Sequence, residues 1–410
     1  MSNPTVAVLF GGRSVEHEVS VISGHQVMDA LDAAGFPILP IYITKQGDWY
    51  AGEGLQNLDL YREATFRAAG RKNVYRVSLS PDRSIRQLVV HPGTSGGLLS
   101  KSPRLWADVW FPVLHGTHGE DGSLQGLFEL VDVPYVGSGV LAGAIGMDKA
   151  MQKRVLTQAG IPVLECLEIS RADWDADADA LVKRAESKFG YPLIVKPICL
   201  GSSVGVSRAA DAAALREAID LALELDGRAL VEEALTDFIE INCSVMGPPE
   251  RASACEQPMG YDTVLSFDDK YKGGGKKLGG GKMGGGKMGG AKFGGAGGQQ
   301  QDAGMAGQRR LVPAPIGDAL TAQVQKMAMD AFRAIGASGV VRVDFLYQAG
   351  KKRLLLNEIN TLPGSVSYYL WEAAGLRFDR LVAELVKIAQ ERHETKRATV
   401  YSFAANLLTK

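Results

Sequence analysis

The stretch Lys196-Pro-Ile-Cys-Leu-Gly-Ser-Ser-Val-Gly205 decides how this chain of 410 residues is read. An apolar run over 191–195, expected as a strand, delivers Lys196, and a turn with Gly201, two hydroxyls and Gly205 follows it. Backbone N–H groups in such a turn gather around anionic oxygens, as they do in phosphate nests. Arg342-Val-Asp344 and Asn357-Glu-Ile-Asn360 add a second element. Side chains alternate along a strand, so Arg342 shares a face with Asp344, and Glu358 shares one with Asn360. Oxygen ligands of this kind suit Mg²⁺, which is usually held by one or two carboxylates plus substrate phosphates. Together the three pieces point to a site for a metal-bound nucleotide.

Working outward, the pattern alternates between strands and helices. Residues 6–10 (VAVLF) read as a buried parallel strand that ends in Gly11-Gly12. A helix over 19–34 and a second strand over 38–44 follow, the opening of an α/β sheet. A further apolar strand over 106–114 runs into His115-Gly-Thr-His-Gly-Glu-Asp-Gly122. A helix over 147–159 carries Lys149 and stops at Gly160. The second unit holds strands at 193–197 and 228–233 around a helix at 212–222. The third holds strands at 239–245, 340–346 and 353–359, a helix at 316–335 and a closing helix at 379–393.

Between strand and helix of the third unit lies a pentad repeat, with GGGKM at 279–283 and 284–288 and GGAKF at 289–293. It has almost nothing apolar to bury, so a surface loop over 272–307 is expected. Lys272, Lys276, Lys277, Lys282, Lys287 and Lys292 have no acidic residue among them. One reading is a tolerated expansion, since each doubling of loop length costs only about 0.6 kcal/mol. The other is a basic lid over phosphates, or a weak contact with RNA.

The formal charge of −1 gives no global reason to expect nucleic acid or an acidic membrane as partner. The four cysteines show no CxxC pair and read as small buried hydrophobes in a reducing cytosol. The first strand begins almost at Met1, and no apolar run reaches the roughly 20 residues of a membrane helix. A cytoplasmic protein is expected.

The motifs, taken in order, resemble those of D-alanine–D-alanine ligases, members of the ATP-grasp superfamily. The resemblance is carried by Gly11-Gly-Arg-Ser-Val-Glu-His-Glu-Val-Ser-Val-Ile-Ser-Gly24, by the 115–126 segment, by Gly137-Ser-Gly-Val and by Met147-Asp-Lys149. Leu200-Gly-Ser-Ser-Val-Gly205, Asp269-Lys-Tyr271, Arg342-Val-Asp344 and Asn357-Glu-Ile-Asn-Thr-Leu-Pro-Gly364 complete it. The implied fold is α/β of the ATP-grasp type. An N-terminal Rossmann-like domain (1–137) precedes a central (138–236) and a C-terminal (237–410) ATP-grasp subdomain, and the latter two clamp ATP.

The resemblance also implies a reaction and its residues. ATP phosphorylates the carboxylate of one D-alanine, and the amine of a second attacks the acyl phosphate. Lys149, Lys196, Ser202, Ser203 and Lys270 match residues at the ATP phosphates. Glu232, Glu233 and Leu235 match the adenine connection, and Glu240 the ribose carboxylate. Asp344, Glu358 and Asn360 match the ligands of two Mg²⁺ ions, or of Mn²⁺ in their place. Arg342 and the N–H of Gly364 match the groups that stabilise the tetrahedral intermediate. Glu16 and His115 match the first D-alanine site. Glu16, Ser202 and Tyr271 match a hydrogen-bonded triad that closes a lid and excludes water. A homodimer is implied as well.

Two departures stand out. The loop after Tyr271 is expanded, and Tyr369-Leu370 stand where many ligases place a serine and an apolar residue at the acceptor carboxylate. Tyr271, rather than a histidine, favours an amine acceptor. Alternative readings are the same chemistry with D-serine as acceptor, or a weakly catalytic ATP-binding protein whose basic loop contacts RNA. A dinucleotide oxidoreductase is not supported, because no G-x-G-x-x-G follows the first strand.

Overall fold

A computed structural model describes residues 3–62, 66–68, 71–92, 103–259 and 309–401. Lys270, Tyr271 and the Gly/Lys-rich loop of 272–307 lie outside the described residues.

The first sheet has the order β5-β4-β3-β2-β1-β6. Its strands are β1 (Val6–Gly11), β2 (Ile38–Ile43), β3 (Trp49–Ala51), β4 (Tyr75–Ser78), β5 (Val89–Val90) and β6 (Val109–Pro112). β1 is parallel to both β2 and β6. Helix α1 (His17–Ala33) follows β1, and α2 (Ser123–Val131) follows β6. The continuous apolar run of β1 is explained by cover on both faces. Val6, Val8 and Phe10 pack with Val27, Met28 and Leu31 of α1. Ala7 and Leu9 pack with Leu124 and Phe128 of α2. β6 is shorter than the expected 106–114 run, although Val113 N–H still donates to Leu9 O.

Helices α3 (Val140–Met147) and α4 (Lys149–Gln158) lead to a second, four-stranded sheet of order β7-β10-β8-β9. Its strands are β7 (Cys166–Ser170), β8 (Leu193–Pro197), β9 (Ser207–Ala209) and β10 (Arg228–Glu233). Helices α5 (Arg171–Phe189) and α6 (Ala212–Leu225) cover one face. Leu193, Val195, Ala229 and Val231 point into that core. By alternation Lys196 and Glu232 emerge on the opposite face.

The third sheet has the order β13-β12-β11-β14-β15. Its strands are β11 (Ile239–Gly247), β12 (Arg251–Pro258), β13 (Arg310–Leu311), β14 (Gly339–Gln348) and β15 (Arg353–Asn360). Helix α7 (Asp318–Ala334) covers one face. Ile241, Cys243, Val245, Val341, Val343 and Phe345 pack there with Val324, Ala328 and Phe332. The same alternation turns Glu240, Asn242, Arg342 and Asp344 to the other face.

The chain closes with α8 (Tyr368–Ala373) and α9 (Phe378–Arg397). Leu381, Val382, Leu385, Val386 and Ala389 of α9 belong to the same core as β1 and α1. α9 thus completes the core around β1 and α1. Among the cysteines, Cys243 and Cys255 are buried as expected, but Cys166 and Cys199 are half-buried, since both lie at the margin of the central sheet.

Candidate active site

A cleft of about 840 Å³ lies between the second and third sheets. Lys149, Lys196, Ser203, Glu232, Glu233, Leu235, Glu240 and Glu358 line it. These come from α4, from β8 and the 201–205 turn that follows it, from β10 and β11 with the link between them, and from β15, so four well-separated stretches of sequence meet at one cavity.

Lys149 opens α4, and its Nζ donates to Leu200 O at 2.6 Å. The expected helix over 147–159 is α4, and Met147 instead ends α3, the two helices meeting at Asp148. Asp148 has extended backbone, accepts from Met151 N–H at 2.8 Å, and so caps α4. Lys196 Nζ sits 2.5 Å from Glu232 Oε1. Lys153, absent from the sequence reading, sits 3.0 Å from Glu232 Oε2 and donates to Leu164 O. It lies one helical turn beyond Lys149, a spacing that puts both lysines on one face of α4. Burial pushes the Glu232 carboxyl up, but the two ammonium groups prevail and bring it to about 2. Burial works against the Lys196 charge, yet Glu232 holds its pKa above the ordinary value. Lys196 is therefore a fixed cation aimed into the cleft.

Glu16 is buried at the start of α1 and accepts from the Ser202 hydroxyl. Two glycines wall this carboxylate. A Cβ on Gly201 would stand 2.6 Å from Glu16 Oε2, and one on Gly116 would stand 2.7 Å from it. Gly116 also has φ of +75°, so side chains are excluded there twice over. The first sheet thereby touches the phosphate-type turn of the second.

His115 Nδ1 lies 3.1 Å from Leu362 O, and Nε2 lies 3.1 Å from Ser23 Oγ. Burial drives the ring down to about 4, although the Leu362 carbonyl favours the charged form. A neutral ring donates from Nδ1 to the carbonyl and accepts at Nε2 from Ser23. Ser23 Oγ in turn accepts from Ser365 N–H. Glu120 accepts from Leu362 N–H at 3.0 Å and Gly116 N–H at 2.7 Å. Burial and the neighbouring Glu16 raise its pKa against those donors. Leu362 is thus gripped at both its N–H and its C=O, two residues before Gly364. Ser365, Val366 and Ser367 then all take positive φ, near +50°. Such backbone costs roughly 1–2 kcal/mol per residue outside glycine, and persists where surroundings enforce it.

On the third sheet, Arg342 is bidentate to Asp344, with Nε–Oδ1 at 2.6 Å and Nη2–Oδ2 at 2.7 Å. Asn360 Nδ2 donates to Asp344 Oδ2 at 3.0 Å. The register sets Asp344 opposite Glu358 and Arg342 opposite Asn360. Two carboxylates facing each other across adjacent strands repel, which a cation between them relieves. Among the described residues no group of three His, Cys, Asp or Glu side chains makes a metal cluster. Two carboxylates on one rung, with the Asn360 amide on the next, fit an ion that completes its shell with phosphate oxygens.

The Tyr369 O–H donates to Glu256 Oε1 at 3.2 Å. The Leu370 side chain is fully buried in the protein. Glu120, Lys153, Glu256 and Arg310 were not singled out from sequence. Glu120 stood inside a recognised motif without a role, and the partners of the others become evident only in the fold.

Two sheets facing across a lysine-lined cleft, with Glu358 on one wall and Asp344 beside it on the neighbouring strand, define an enzyme of the ATP-grasp class. Residues 5–138 match the family described as D-ala D-ala ligase N-terminus. Residues 155–279 and 300–387 match D-ala D-ala ligase C-terminus. The chain belongs to the D-alanine–D-alanine ligase family. It is 38% identical over 406 residues to a D-alanine–D-alanine ligase of Heliobacterium modesticaldum, covering 97% of each chain. It is 35% identical over 404 residues to that of Chloroherpeton thalassium, covering 97% of this chain and 99% of the relative. The solved D-alanine–D-alanine ligase of Coxiella burnetii matches with a TM-score of 0.74 and 27% identity, over 97% of both chains. VanG D-Ala:D-Ser ligase of Enterococcus faecalis matches at 0.73 and 28%, over 95% of this chain and 100% of that one.

Proposed function

We propose that the protein joins two D-alanines into D-alanyl-D-alanine, with ATP as phosphoryl donor, in the construction of peptidoglycan precursors. The observation that supports this most directly is the Glu16–Ser202 contact, which puts a carboxylate fit for an amino-acid ammonium against the 201–205 turn. Lys149, Lys196, Ser202 and Ser203 would hold the ATP phosphates, and Glu233, Leu235 and Glu240 the nucleoside. The Glu232 carboxylate orients Lys196 through the pair described above. Asp344, Glu358 and Asn360 would hold Mg²⁺, whose chemistry is charge neutralisation on the phosphates.

Glu16 and His115 shape the first D-alanine site, with Arg342 and the Gly364 N–H facing charge that develops at the attacked carbon. Tyr271 keeps the lid role that the resemblance implies. Three units, bounded at 137 and 236, divide this work, and a cytoplasmic homodimer is the form proposed for it. The similarity to a D-Ala:D-Ser ligase makes D-serine the acceptor to test beside D-alanine.

Purified protein with ATP, Mg²⁺ and D-alanine is expected to release ADP and a dipeptide identified by mass. ATP turnover that is indifferent to every D-amino acid would falsify the reading.

A further inference from the structure

Beside Arg342, on the same face of the third sheet, lies a cluster with no role so far. Glu256 on β12 is buried. Its Oε1 accepts from Asn242 Nδ2 at 3.1 Å and from the Tyr369 hydroxyl at 3.2 Å. Its Oε2 lies 2.9 Å from Arg310 Nη1. The Arg310 guanidinium also stacks over the Tyr369 ring, 3.8 Å from its centre. Strand register places Glu256, Asn242, Asp344 and Glu358 on one rung across β12, β11, β14 and β15. The cluster is therefore an extension of the proposed metal rung.

A phenol carries one proton. Tyr369 directs it at Glu256, so a substrate carboxylate at this end needs another donor. Charge says which. Asp344 neutralises Arg342 only while it serves no cation. With Asp344 and Glu358 engaged by a divalent ion, the remaining face carries Arg310 and Arg342 against Glu256, a surplus of one positive charge. A guanidinium has five N–H donors in a planar fork and bridges two carboxylates readily.

Building on the ligase reading, we propose that Arg310 anchors the carboxylate of the acceptor amino acid, with Glu256 and the Tyr369 ring fixing its guanidinium. Residue 369, on α8, acts as a buttress, and the anchoring charge comes from strand β13.

The acceptor carboxylate survives as the C-terminus of the product, so binding can be read without turnover. Calorimetry on the full chain with ADP and Mg²⁺ compares D-alanyl-D-alanine with its C-terminal amide. The wild type is expected to prefer the acid. Arg310→Gln should narrow that preference by about 10- to 100-fold, the worth of a charge-assisted hydrogen bond. Arg310→Lys should restore part of it, and Tyr369→Phe, which keeps the ring under the guanidinium, should narrow it less than Arg310→Gln does. The inference is overturned if Arg310→Gln keeps the wild-type preference, or if Tyr369→Phe loses more than it. A wild type that makes dipeptide yet binds acid and amide alike overturns this inference alone. A wild type that releases no ADP in response to D-alanine overturns the ligase reading itself.

Discussion

Glu16 has no room to move, with Gly116 and Gly201 pressed against its carboxylate and Ser202 donating to it. Its charge is the part that an ammonium would feel. Glu16→Gln keeps the shape, and is expected to lower kcat/KM for D-alanine by about 10- to 100-fold while ATP still binds. Steady-state kinetics with each substrate varied would show it, and an equal loss for both substrates would speak against the assignment. His115 makes a second prediction at this scale. Its pKa falls from 6.5 to about 4 on burial, so between those values the unfolded chain takes up a proton that the folded chain refuses. The stability it contributes is full above pH 6.5 and drains away as pH falls toward 4. Melting curves of the wild type should therefore drop more steeply across that window than those of His115→Gln. Glu120, with its pKa raised, pulls the opposite way as pH rises, so the comparison is between the two proteins. Residues such as Glu16, Lys196 and Asp344 were legible because their neighbours in sequence form the motif. Glu256 and Arg310 were not, because strand pairing joins them across the long excursion that separates β12 from β13.

The break between α3 and α4 shows what an element adds to a motif. The sequence reads a helix over 147–159 but not its sharp start, where Asp148 competes for its own backbone and ends α3 as it begins α4. Arg228 Nη2 pins the other oxygen of Asp148 at 2.5 Å. The result starts a helix at Lys149 and so aims that lysine at the cleft. Asp148→Ala is expected to cost about 1–2 kcal/mol of stability and to weaken ATP binding, measured by denaturant titration and nucleotide titration of the same variant. Unaltered ATP affinity in a destabilised protein would separate the cap from the site. β1 was easily seen in the sequence because it is apolar throughout, and β14 because Val341, Val343 and Phe345 alternate with Arg342 and Asp344. The α5 helix was not, because only Trp174, Val182 and Ala185 of its residues are fully buried and most of the rest is charged or alanine.

At the scale of the molecule, the N-terminal sheet does not own its core. Leu381, Val382, Leu385 and Val386 of α9 contribute about 1.5–3 kcal/mol each through burial against it. Their sum is comparable with the roughly 5–15 kcal/mol by which a domain is stable. Arg392 adds a donor to Tyr135 O at 2.9 Å and a cation over the Tyr135 ring at 4.2 Å. A chain ending before Phe378 should lose the cooperative melting of its first sheet, and limited proteolysis should cut within 1–137. Retained cooperativity there would show that the sheet stands without α9. The motifs run along the chain in the order of the three sheets, but they gave no hint of this closure, since α9 carries an amphipathic pattern that any partner could satisfy. The same closure has a consequence for biosynthesis. Val6 is synthesised long before Phe378, so the nascent chain carries one uncovered apolar sheet face while everything between them is made. Until α9 emerges, protection of that face falls to chaperones, and stalling before Phe378 leaves the protein exposed to aggregation.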